Sequence, residues 1–104
     1  MKMRIPLLLM LSALALSPIA HAGDVERGAS ISMTCAACHG AQGVSPLPAM
    51  YPDLAGQSQA ELVEKLEAYR SGENDNPIMA AQAANLSDQD IADLAAYFSA
   101  QPPR

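Results

Sequence analysis

Two stretches of the chain place apolar residues at a helical spacing. In SQAELVEKLEAYRSG, from Ser58 to Gly72, Leu62, Leu66 and Tyr69 fall on one face. Ser58 and Glu61 form a capping-box pattern there, and Gly72 follows the last turn as a stop. In SDQDIADLAAYFSA, from Ser87 to Ala100, Ile91, Leu94 and Phe98 share a face with Ala95 beside them. Ser87 can cap this helix, acidic residues fill its first turn, and Pro102 and Pro103 lie just beyond its end. A shorter helix is expected to begin near Asp24 and run into residues 34–40. Between it and Ser58, the residues Gly40, Gly43, Pro46, Pro48, Pro52 and Gly56 rule out long regular elements. No stretch alternates as a strand would. The expected class is all-α, with a long structured loop.

The N-terminal pattern is of another kind. Lys2 and Arg4 precede a run from Ile5 to Leu16 that is apolar apart from Ser12, and Ala20-His21-Ala22 gives the small-x-small pattern of a signal-peptidase site. Residues 1–22 are therefore expected to be a cleaved export signal, with residues 23–104 as one small domain. The uncharged stretch from Ile5 to Ala22 is marginal for a membrane span and is broken by Pro6 and Pro18. No cysteine follows the cleavage point to carry a lipid. The expected product is exported to the periplasm, with no stable membrane insertion.

Composition then narrows what can fill such a domain. Beyond the leader the aromatics are Tyr51, Tyr69, Tyr97 and Phe98, with no tryptophan, and a chain this short usually needs a staple besides its side chains. A disulfide across two intervening residues closes almost no loop and would stabilise little. The basic residues Arg27, Lys65, Arg70 and Arg104 face eleven acidic ones, the wrong sign for a nucleic-acid binder and unlike a basic membrane-surface helix.

The remaining feature is TCAACHG, residues 34–40, which holds both cysteines and places His39 directly after the second. Four chemistries use such a cluster. A thioredoxin-like dithiol needs a strand scaffold, of which no sign is visible. Structural zinc needs four ligands, yet beyond the leader only Cys35, Cys38 and His39 are thiol or imidazole donors. A disulfide explains neither His39 nor the thin core. Covalent haem explains all three observations: C-x-x-C-H is a c-type haem attachment pattern, and the cofactor would supply the missing apolar centre.

At this point the chain resembles a known family, the small class I c-type cytochromes of bacteria, close to cytochromes c553 and to the single-haem halves of cytochrome c4. The residues that carry the resemblance are CAACHG, YPDLAGQ and NPIMAAQAANLSDQDIADLAAYFS. It implies a small single-domain cytochrome c fold, with helices packed around one covalently attached haem c. It further implies thioether links at Cys35 and Cys38, His39 as the proximal iron ligand, and the Pro52 carbonyl on the other ring nitrogen of His39. Leu54 would pack on the porphyrin, and Gly28 would face the Tyr97 region where the terminal helices cross. Ile31 and Met33 stand where many members have an aromatic.

Ligation by two histidines of this chain is impossible, because no other histidine remains beyond the leader, where the methionines are Met33, Met50 and Met79. Met33 lies on the helix of the motif itself, and Met50 lies in the loop expected on the histidine side. Met79, after Pro77 in an uncharged loop before the last helix, occupies the place where the family has its axial methionine. Iron held by His39 and Met79 has no open position for substrate. The expected function is one-electron transfer between redox partners, such as a donor dehydrogenase or quinol-oxidising complex and an acceptor oxidase or reductase, with no enzymatic activity. The alternatives are a haem subunit dedicated to one dehydrogenase, for example a flavin enzyme oxidising sulfide, or an open-coordination haem sensor or enzyme. Between Gly28 and Ala60 the only acidic or basic side chain is Asp53, and Asn76 to Ser87 has none. These segments are expected to surround the haem edge, while acidic residues on the helices face solvent.

Overall fold

The structure, a computed structural model, describes residues 22–104; residues 1–21 of the expected leader lie outside the described residues. Five helices follow in order: α1 (Val25–Ile31), α2 (Met33–His39), α3 (Gln59–Ser71), α4 (Pro77–Ala83) and α5 (Asp88–Ser99), with a 3-10 turn at Ala41–Gly43. Among the described residues there is no strand, and no helix is long and apolar enough to cross a membrane.

The two periodic stretches form the two longest helices. In α3 the Ser58 hydroxyl accepts from the Glu61 amide at 3.2 Å, and Gly72 ends the helix in the left-handed region. In α5 the box is reciprocal: Ser87 Oγ accepts from Asp90 N at 3.0 Å, and Asp90 Oδ2 accepts from Ser87 N at 2.9 Å. Leu62 from α3 meets Leu94, Ala95 and Phe98 from α5 in the central cluster, with Ile31, Leu54 and Leu66 packed around it. Ile31 thus takes the inward place before the cysteines, while Met33 is 75% exposed.

Three expectations need correction. The single N-terminal helix is two, because Ser32 turns its hydroxyl back onto the Ala29 carbonyl at 2.8 Å and breaks the ladder between α1 and α2. Met79 lies on a helix rather than in a loop: Asn76 Oδ1 accepts from the amides of Ile78 and Met79, both at 3.1 Å, and Pro77 occupies the first turn. The acidic residues of α5 are not simply a solvated face. Asp93 is fully buried, with Oδ2 2.7 Å from Arg27 Nη1 and Oδ1 accepting from the Asp24 amide and Gln89 Nε2, each at 2.8 Å. A buried carboxylate needs such partners. Arg27 also reaches Asp90 at 2.7 Å, so one arginine ties α1 to two carboxylates of α5.

Above this pair, α1 and α5 cross in backbone contact. A Cβ on Gly28 would stand 2.1 Å from the Asp93 carbonyl oxygen and 2.7 Å from Tyr97 Cβ. Only glycine fits, and the expected meeting of Gly28 with the Tyr97 region is what the structure shows. This rigid crossing carries α2, and with it the cysteine motif, directly off its N-terminal arm.

Candidate cofactor site

Cys35 and Cys38 stand three residues apart on α2, so both thiols project from one side of the helix. Both are free; Cys35 is half-buried and Cys38 exposed. Burial pushes the Cys35 thiol above its ordinary value. A dithiol redox centre needs the reverse, a thiolate favoured at neutral pH. Among the described residues, no three His, Cys, Asp or Glu side chains converge to hold a bare metal ion.

His39 ends α2. Gly40 then turns the chain at φ 86°, and a Cβ there would meet the Val44 carbonyl at 1.9 Å. His39 is only 7% exposed, and its Nδ1 lies 2.7 Å from the Pro52 carbonyl oxygen. A carbonyl can only accept, so Nδ1 donates its proton to Pro52 O and Nε2 is the nitrogen left to face a ligand. The Tyr51 ring meets the imidazole edge-on, with centroids 6.2 Å apart.

The loop that brings Pro52 to His39 has few backbone ladders of its own and is pinned at several points. Gly43 O accepts from Leu54 N at 2.8 Å and Ala55 N at 3.2 Å. The Asp53 carboxylate accepts from Ser45 N at 2.7 Å and from Arg104 through Nε at 2.7 Å and Nη2 at 3.0 Å. The Arg104 guanidinium, with the Ser45 amide, holds the Asp53 carboxyl down to about 2. The lone charge of residues 28–60 is therefore paired. Leu54 is half-buried and packs against the Leu94 and Phe98 cluster.

Met79 is half-buried, whereas Met33 and Met50 are 75% and 69% exposed. Met79 shares the wall of a cavity of about 40 Å³ with Cys35, Thr34 and Leu94. The structure thus brings Cys35 to Met79, and His39 to Pro52; the imidazole is not among the residues lining that cavity. Sequence reasoning missed Ser45, Tyr51 and Arg104. The signal for the first and last was the solitary Asp53 in an uncharged run, which invites the question of what it pairs with.

Two free thiols one turn apart, beside an imidazole with one nitrogen already committed, are the donors a covalent haem requires. The comparisons agree. The family profile for cytochrome c matches residues 25–101. Over 93 residues the chain is 43% identical to cytochrome c4 of Pseudomonas aeruginosa, covering 88% of this chain and 46% of that protein. Over 83 residues it is 45% identical to cytochrome c-554(548) of Halomonas halodenitrificans, covering 77% of this chain and 99% of that protein. The fold matches the crystal structure of reduced recombinant cytochrome c4 from Pseudomonas stutzeri with a TM-score of 0.75 at 38% identity, over 80% of this chain and 48% of that one. The chain spans about half the length of the cytochrome c4 proteins it matches. It belongs to the cytochrome c family, whose members carry covalently attached haem c.

Proposed function

We propose that residues 23–104 form a periplasmic mono-haem carrier that moves one electron at a time between protein partners. Cys35 and Cys38 provide the two thioether sulfurs, His39 Nε2 and the Met79 sulfur the two axial donors, and Leu54 a side wall against the ring. When bound, the haem iron supplies a single ferric–ferrous couple. The observation that carries the reading is the 2.7 Å contact of His39 Nδ1 with Pro52 O beside two free thiols. It fixes the tautomer and orients the ring.

The chain's residues then do three things. His39 and Met79 would be the protein's two donors to the iron, which would leave substrate no place on the metal and make the domain a carrier rather than an enzyme. A thioether opposite imidazole favours the reduced form more than a second imidazole would. Leu62, Leu94 and Phe98 supply an apolar wall that excludes water and keeps charge reorganisation small. The donor is a dehydrogenase or a quinol-oxidising complex, and the acceptor an oxidase or reductase.

Protein made with haem-maturation machinery should keep one haem per chain through acid-acetone extraction and denaturing electrophoresis. Replacing both Cys35 and Cys38 by alanine should leave mostly unfolded apoprotein. Release of intact haem from the unaltered protein would overturn the reading, and co-purification of a large flavoprotein would make the domain a dedicated subunit instead.

A further inference from the structure

Pro52 O and the amide of Asp53 belong to one planar peptide unit, so whatever holds Asp53 also aims the carbonyl that His39 uses. Asp53 is held from three directions. Its carboxylate takes Ser45 N at 2.7 Å, and Arg104 grips both of its oxygens, Nε to Oδ2 at 2.7 Å and Nη2 to Oδ1 at 3.0 Å. Arg104 Nη2 also donates to the Ser45 carbonyl, closing a ring through Ser45, Asp53 and Arg104. The Asp53 carbonyl accepts from Gln57 Nε2 at 2.6 Å.

Stability alone does not account for this arrangement. The Arg104 side chain is 51% exposed, and an ion pair in water adds little to folding. A two-pronged arginine–carboxylate contact adds direction instead. Pro52 has no backbone N–H to donate, and the next backbone contacts, Leu54 N and Ala55 N on Gly43 O, lie beyond the Pro52–Asp53 plane, so the Asp53 contacts are the ones nearest to it.

We propose that the Arg104–Asp53 pair is a positioning device for His39: it holds the Pro52–Asp53 peptide plane, keeps the Nδ1–H···O contact short, and so sets how strongly the imidazole would donate to iron and with it the reduction potential. This rests on the haem reading above. A short contact gives the ring more imidazolate character and favours ferric iron. Loosening it favours ferrous iron, so the potential rises.

The test uses the haem-loaded full domain and the variants Arg104→Gln, Asp53→Asn and Arg104→Lys. Two quantities are measured: exchange of the His39 Nδ1 proton in the diamagnetic reduced protein by NMR, and the reduced-to-oxidised ratio at a fixed ambient potential. In Arg104→Gln and Asp53→Asn the exchange should quicken and the reduced-to-oxidised ratio should rise, both relative to the parent protein. Arg104→Lys, which keeps the charge without the fork, should fall between. If all three variants keep the exchange rate and ratio of the parent protein and only melt earlier, the pair is a structural staple and the proposal is overturned. If the parent protein shows covalent low-spin haem but no slowly exchanging Nδ1 proton, the proposal again fails while the haem reading stands. Absence of covalent haem would overturn both.

Discussion

Where α1 crosses α5, the chain packs backbone against backbone. Gly28 touches the Asp93 carbonyl, and Asp93 is fully buried with an arginine, a backbone amide and a glutamine on its carboxylate. Along residues 40–56 the chain does the opposite. Val44, Leu47 and Met50 are exposed, regular structure is confined to a single 3-10 turn, and the one charge is paired at the surface with Arg104. The first region places its polar groups where they cost most and satisfies them; the second places apolar groups where water should be. A scaffold that must hold α2 still needs the first kind of contact. A loop that offers apolar side chains at the surface suits contact with another molecule.

The largest expected effect follows from that contrast. Gly28→Ala forces a Cβ into a backbone carbonyl and should destabilise the haem-loaded domain by about 3 kcal/mol, the upper range for overpacking. Leu47→Ala in the loop should cost no more than about 0.5 kcal/mol, as for a surface change. Denaturant unfolding of the two variants checks the order, and a loop substitution costing more than the glycine one would break the comparison.

Acid should act on both regions in the same direction. Arg27 holds the Asp93 carboxyl below the usual range; the Ser87 amide, then Arg27, do the same for Asp90; Arg104 holds Asp53 at about 2. A depressed folded pKa contributes stability that is fully present above the unfolded value of about 3.9. That contribution is lost as pH falls through the folded value. Stability should therefore be flat down to about pH 5 in this respect and fall between about pH 4 and 2. Asp53→Asn should remove part of that fall without changing the neutral plateau's shape, measured by urea unfolding from pH 7 to 2. A decline beginning near pH 6 would show that other groups govern it.

The periodic helices were legible before the structure because α3 and α5 meet through Leu62, Leu94, Ala95 and Phe98, and burying a shared face imposes the 3.6 spacing. That α5 also buries Ala92, Asp93 and Ala96 toward α1 left no such pattern. The α1–α2 break was not, because a serine hydroxyl bending back on its own helix leaves no pattern in the neighbouring residues. For α4 the signal existed, Asn76 then Pro77, but it also begins a loop, and only the alanine-rich run that follows decides. Asp93 could not be read as buried: its partners Asp24 and Arg27 lie 69 and 66 residues away in the sequence, and nothing near Asp93 announces them. Cys35, Cys38 and His39 became candidates through their spacing together with the leader, the absence of strands and the family resemblance. Pro52 and Met79 became candidates through resemblance, and the structure adds the 2.7 Å contact for the one and the half-buried position for the other.

The smallest effect concerns docking. With Asp53 paired and residues 76–87 free of acidic or basic side chains, the segments expected around the haem edge offer apolar contact through Val44, Leu47, Met50 and Ile78. Electron transfer to the physiological partner should then change little with ionic strength, because screening removes little attraction. Stopped-flow rates across a salt series check this; a steep fall would assign steering to the acidic helices instead.

The identity of the sixth donor tests the account most directly. Oxidised protein with Met79 bound should show a weak sulfur-to-iron charge-transfer band near the red end of the visible spectrum. Met79→Ala should abolish the band and lower the potential, while Met50→Ala should leave both unchanged. A band that survives Met79→Ala and disappears in Met50→Ala would contradict the account.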